Sequence, residues 1–394
     1  MKYDFDTVID RHHTASVKWC PGNMLKDMGI TERFDDNTLA LYTADMDFRC
    51  AQPILDAMDH VVQHGIFGYS GVKGIPEYNE AVCHWFKKRH GWTFDENAVC
   101  FVSGTIKALD VAIQSYTQEG DGILITRPVY GPFTKCIESN NRRVVNSPLI
   151  NSGGYYTMNF DDIEEKAKAP DTTMFILCNP QNPTGRVWTK EELKKLTDIC
   201  EKNDVLLLSD EVHCDLVRKE VVFVPAATIG APENTVSLTA INKTFNCAGL
   251  ACSHAIITDS HLRKKFEMKN DSMPNPFGIA AVIAAYTEGE EWLEQLKEYL
   301  DGTIDWTLDY IRRQLPGIKT FRPEGTYVLW LDLKNTGLSP NQIHDKIYHK
   351  ANVCLEPGVL FDPAGGKYFE RICLSSPRSI IKEAFYRIEE QFKS

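Results

Sequence analysis

The chain has 394 residues, 43% hydrophobic and 25% charged, with a formal net charge of −11. That length exceeds what one core usually supports and predicts two domains. The interspersed acidic excess excludes the basic footprint of a nucleic-acid or anionic-lipid binder, so small-molecule or protein partners are expected.

The start of the chain is charged throughout and has no apolar stretch resembling a signal peptide. Residues 1–47 are irregular and are expected to form an arm that joins a smaller domain. No apolar run approaches membrane-spanning length. The twelve cysteines are scattered without a C-x-x-C pair, and Cys247 with Cys252 has the wrong spacing for a zinc clip. The expectation is a soluble, cytoplasmic protein with reduced cysteines.

Residues 48–288 are expected to form a large α/β domain. Strand-like and helix-like segments alternate from about residue 98: strands at 98–102, 122–126, 142–149, 172–180, 204–210 and 234–240, and helices at 105–117, 132–140 and 189–203. The last helix opens on Thr189 with Glu192 three residues later, the pattern of a capping box. Such alternation predicts a mostly parallel sheet flanked by helices. Residues 289–394 change character. A long amphipathic helix leads into apolar segments at 326–333, 353–361 and 371–376, which read as a smaller α+β domain. The long helix is expected to carry the chain between the two domains.

Ligands of open α/β sheets bind beyond the carboxyl ends of the strands, so the residues following each strand are the informative ones. After the first come Ser103, Gly104 and Thr105 at a helix start, an arrangement suited to phosphate yet common among strand–helix turns. After the second comes Tyr130, between proline and glycine. After the fourth, two Asn-Pro steps fix a rigid loop that can aim Asn182. After the fifth come Asp210, Glu211 and His213, and after the sixth comes Lys243. Taken singly, Lys243 reads as a surface lysine and Tyr130 as a packed loop aromatic. The ordered set of phosphate cradle, aromatic, amide, carboxylate and lysine is what pyridoxal 5′-phosphate requires.

These motifs resemble the fold type I pyridoxal-phosphate enzymes of the aminotransferase class I and II superfamily, essentially from end to end. Residues 43–48 (TADMDF), 67–71 (FGYSG), 209–216 (SDEVHCDL) and 371–381 (RICLSSPRSII) are most similar to the cysteine C–S β-lyase branch, which includes cystalysin and the MalY/PatB-type cystathionine β-lyases. His213 stands where typical aminotransferases carry tyrosine. The resemblance implies an aspartate-aminotransferase-like fold, a homodimer with shared active sites, and β-elimination from a sulfur amino acid to give pyruvate, ammonia and a thiol. It implies Lys243 as the lysine that joins the cofactor aldehyde and serves as base. Asp210 would face the pyridine nitrogen, Asn182 the ring oxygen, and Tyr130 the ring face. Backbone amides of Gly104, Thr105 and Ile106 would hold the phosphate, and Tyr69 would reach it from the partner subunit. Arg371 would bind the substrate carboxylate together with Tyr130 and Asn182. His213 would lie beside the cofactor, and no metal is implied.

Two departures bear on the phosphate. Ala240 and Asn242 replace serines common in relatives, and Ala251 replaces an arginine, so Thr239, Asn242 or Tyr69 is expected to compensate. Lys107 lies where that branch often has proline. An aminotransferase on the same fold is the alternative reading, and a regulatory protein-binding role is a third.

Overall fold

The computed structural model describes residues 2–72 and 75–393. Its centre is a seven-stranded sheet of β1 (Val99–Val102), β2 (Gly122–Ile125), β3 (Arg143–Asn146), β4 (Thr172–Cys178), β5 (Leu206–Asp210), β6 (Thr235–Ala240) and β7 (Ser253–Ile256), in spatial order β1-β7-β6-β5-β4-β2-β3. All pairs are parallel except those made by β7, which runs antiparallel to both β1 and β6. β2, β5 and β6 are buried along their whole length, and β4 at all but Thr173. Burial on both faces explains why they read as continuous apolar runs without alternation.

Helices pack on the sheet through apolar faces. Ala108, Leu109, Ala112 and Ile113 of α3 (Thr105–Tyr116) share one core with Ile123, Ile125, Ile176 and Leu208. On another core, Leu193 and Leu196 of α4 (Lys190–Lys202) meet Phe175, Leu177 and Leu207. The expected capping box at Thr189 is formed in both directions. Two helices early in the chain, α1 (Gln52–His64) and α2 (Pro76–His90), have no counterpart in the sequence reading. β7 is likewise absent from it.

The C-terminal part builds a three-stranded antiparallel sheet of β8 (Val328–Asp332), β9 (Glu356–Pro357) and β10 (Phe369–Cys373), in order β8-β10-β9. The single apolar segment expected at 353–361 is thus split. Val353–Cys354 leaves this sheet and pairs in parallel with Leu39–Ala40. That pairing ties the N-terminal arm to the C-terminal core, where Leu25, Ile30, Leu41 and Tyr42 are buried. The arm also reaches the other side, since Phe5 packs against Trp292 and Tyr299 at ring separations of 5.8 and 5.5 Å. The long helix α5 (Glu290–Gln314) places Trp292, Leu293 and Leu296 in the core around α1 and α2, and Ile304 and Ile311 in the C-terminal core. Among the described residues no helix is long and apolar enough to cross a membrane.

Candidate active site

The carboxyl ends of β1, β2, β4, β5 and β6 face one cavity of about 700 Å3. Its wall contains Ser103, Gly104, Thr105, Ile106, Tyr130, Asn182, Asp210, His213, Asn242, Lys243 and Arg371. Residues expected from five separate strand ends are therefore brought together by the parallel sheet.

At the floor, Gly104 has φ +103°, a conformation that side chains disfavour, and it turns the chain from β1 into α3. No side chain caps that helix. The amides of Thr105 and Ile106 therefore sit at a helix start whose N–H groups lack intrahelical partners, beside the positive end of the helix dipole. The Thr105 hydroxyl lies 3.2 Å from that of Ser253 on β7.

Asp210 ends β5 and is 4% exposed. Its carboxylate accepts from the Val212 amide at 3.3 Å. Burial pushes its pKa up to about 7, against the opposing pull of that amide and of Lys243. Lys243 sits in the helical turn Ile241–Thr244 and donates from Nζ to the carbonyl of Ala44 at 2.7 Å. Burial, and then the charge of Arg371, lower its pKa. Burial together with the cations Lys243 and Arg371 brings His213 down to about 3, so its ring is neutral, and Nδ1 is buried without a partner. Tyr130 is raised to about 12 by burial and remains a neutral phenol.

Arg371 on β10 is 2% exposed. It donates to Asn182 Oδ1 at 3.1 Å and to the Tyr42 carbonyl at 2.6 Å, and it is ion-paired with Glu356. Its Nε has no partner. Asn242 Oδ1 is also buried and unpartnered. The cavity therefore holds unsatisfied donor and acceptor atoms beside a carboxyl, an amine and a guanidinium, which is costly unless a polar ligand completes them. A flat, phosphorylated pyridine aldehyde meets that donor set: amides for phosphate, a carboxylate for the ring nitrogen, and an amine for the aldehyde.

Two expected residues lie elsewhere. Thr239 is fully buried within β6, does not line the cavity, and leaves Oγ1 without a partner. Tyr69 is 98% exposed and outside the cavity of its own chain. Lys107 does line the cavity, and its ammonium pairs with Asp271 at 2.8 Å. Glu356 and the carbonyls of Tyr42 and Ala44 also take part, and none of them is signalled in the sequence. Main-chain acceptors carry no residue-type signal.

The family model for aminotransferase class I and II matches residues 38–388. Cystathionine β-lyase PatB of Bacillus subtilis (strain 168) is 35% identical over 98% of this chain and 99% of its own. Two crystal structures superpose closely. Cystalysin from Treponema denticola, which contains pyridoxal 5′-phosphate, gives a TM-score of 0.94 at 31% identity over 100% of this chain and 99% of that one. A pyridoxal-phosphate-bound C–S lyase from Staphylococcus hominis, complexed with L-cycloserine, gives 0.92 at 33% identity over 99% and 98%. The mostly parallel sheet with flanking helices is thus the fold type I arrangement, and the chain belongs to the aminotransferase class I and II family.

Proposed function

We propose that the protein is a pyridoxal 5′-phosphate-dependent carbon–sulfur lyase that performs α,β-elimination on L-cystathionine or a related cysteine S-conjugate. The observation that carries this reading is the convergence of Lys243, Asp210 and Arg371 on one cavity. The named relatives, a cystathionine β-lyase and a C–S lyase, support the choice of reaction.

When bound, the cofactor supplies an aldehyde for imine chemistry and a ring that takes up the electron pair left at the substrate α-carbon. The buried Asp210 carboxylate would pair with a protonated ring nitrogen, which would satisfy its charge. The amides of Thr105 and Ile106 hold the phosphate, with Gly104 shaping the turn. Asn182 would donate to the ring oxygen and Tyr130 would stack on the ring, with His213 in the same cavity wall. Arg371 binds the substrate carboxylate through a guanidinium already oriented by Glu356 and the Tyr42 carbonyl.

Lys243 takes the α-proton. Burial and the charge of Arg371 lower its pKa, which favours the neutral amine that accepts the proton. The α-carbon pair forms the Cα–Cβ double bond as the carbon–sulfur electrons depart with sulfur as a thiolate. The released 2-aminoacrylate tautomerises to an imine that water hydrolyses to pyruvate and ammonia. In this reading residues 48–288 form the cofactor domain, with 289–394 and the 1–47 arm as the smaller one. Exposed Tyr69 serves the neighbouring active site of a homodimer.

The test is an incubation of purified protein with L-cystathionine in the absence of any 2-oxo acid. Stoichiometric pyruvate, ammonia and thiol support the lyase. Product formation that appears only when a 2-oxo acid is added overturns it in favour of an aminotransferase.

A further inference from the structure

Five residues beyond Asp210, and outside the cavity wall, the carboxylate of Asp215 is 1% exposed. It collects donors from two distant parts of the chain. Trp85 Nε1 lies 3.1 Å from Oδ1, His90 Nε2 lies 2.9 Å from Oδ1, and Thr244 Oγ1 donates to Oδ2 at 3.0 Å. Arg89 Nε stands 3.7 Å away and continues outward to Glu290 and Glu294 on α5. Burial pushes the Asp215 pKa up, but its bond to His90, the charge of Arg89 and the Trp85 hydrogen bond outweigh it, and the group stays below the ordinary range.

Thr244 directly follows Lys243. The turn that carries both has only four residues, Ile241–Thr244, too short to hold its own geometry. Its orientation depends on tertiary anchors. One is Asn246, whose side chain accepts from the Met46 amide and donates to the Met46 and Phe48 carbonyls. Another is the Lys243 Nζ bond to the Ala44 carbonyl, and a third is Asp215. Asp215 lies on the loop that follows Asp210 at the end of β5 and carries His213, closed by the turn bonds Cys214 N–Glu211 O and Leu216 N–His213 O. A single buried carboxylate thus fixes both the segment with the cavity acid and the segment with the cavity amine.

We propose that Asp215, acting through Thr244, is a positioning residue for Lys243. His90, Cys214 and Asp215 also bring ligand atoms within 4.8 Å of one another, the spacing of a metal site. That use is opposed by the groups themselves. Burial holds the Cys214 thiol protonated, and both Asp215 oxygens already accept hydrogen bonds. The cluster is a hydrogen-bond hub.

The inference rests on Lys243 being the base of the proposed elimination. Its test compares holoenzyme carrying Thr244→Val, Thr244→Ser or Asp215→Asn with the unmodified protein, using L-cystathionine across a range of pH. Thr244→Val is expected to lower kcat about tenfold with little change in KM. A less well-held lysine gains water and a higher pKa, so the acid limb of the kcat profile moves up by about half a pH unit. Thr244→Ser restores both quantities, which a purely structural role for the methyl group would not produce. Wild-type kcat and an unshifted profile in Thr244→Val at full cofactor occupancy overturn the proposal. Should that chain not fold, an unshifted profile in Asp215→Asn does the same. Elimination surviving in Lys243→Ala sinks the functional reading instead, whatever Thr244 shows.

Discussion

Lys243 Nζ and the carbonyl of Ala44 lie 2.7 Å apart across 199 residues of sequence. The same carbonyl accepts from Tyr327 OH at 3.1 Å. The segment around Ala44 is held in turn by the N-terminal arm: Lys18, which is fully buried, pairs with Asp47 at 2.7 Å, Arg11 pairs with Asp45 and Asp47, and Trp19 Nε1 donates to Asp47 at 2.9 Å. Replacing Lys18 by Met leaves Asp47 buried beside fewer cations. The expected outcome is a stability loss of about 3 kcal/mol, read by urea unfolding.

Lys243→Ala removes the amine that receives the α-proton. Pyruvate release from L-cystathionine is expected to fall by at least about a thousandfold, and the purified variant should lack the yellow colour that borohydride bleaches in the parent. Retention of full turnover would sink the assignment.

Arg371→Lys keeps the charge but loses the planar fork. Because the guanidinium is oriented by Asn182, Glu356 and the Tyr42 carbonyl, a lysine cannot reproduce its contacts. KM for L-cystathionine is expected to rise about tenfold or more, with kcat less affected, in steady-state kinetics.

Glu370 is buried on β10 and accepts from Tyr348 OH at 2.6 Å, with burial raising its pKa to about 8. In the unfolded chain the group ionises near the ordinary value of 4.5. The native state therefore holds the proton more tightly, and this stabilising contribution is complete below about pH 4.5 and lost as pH rises through about 8. Glu370→Gln cannot ionise. Its melting temperature should exceed that of the parent at pH 8.5, and the two curves should converge near pH 4.

Tyr69 is exposed on its own chain, and its proposed role lies in the neighbouring one. Chains carrying Tyr69→Phe and Lys243→Ala should each be poorly active alone. Mixed and reassembled in equal amounts, they are expected to recover about a quarter of wild-type activity, because half the dimers are mixed and each has one intact site. No recovery after demonstrated subunit exchange argues against a shared site.

The cavity residues contributed by strand ends were legible because a parallel sheet converts sequence order into spatial convergence. Asp210, Asn182 and Lys243 each follow an apolar run, and the sheet does the rest. The capping box at Thr189 was legible for a different reason, since all its atoms lie within four residues. Contacts that link distant segments were not. Nothing near Lys243 announces Ala44, nothing near Arg371 announces Glu356, and β7 carries His254 and Ser253 in a short strand without a clear apolar signal. Thr239 was expected to compensate at the phosphate, but it lies within β6, none of whose residues lines the cavity.

The long helix α5 contributes Trp292, Leu293 and Leu296 to one core and Ile304 and Ile311 to the other, while Phe5 at the opposite end of the chain closes over its first turns. A cut just before residue 290 therefore does not release a self-sufficient C-terminal piece. It strips the larger remnant of an indole and two leucines, and exposes that same apolar stripe on the smaller one. Fragments made there should stick to each other or to themselves, and the two cores are better regarded as sharing a beam than as meeting at a seam.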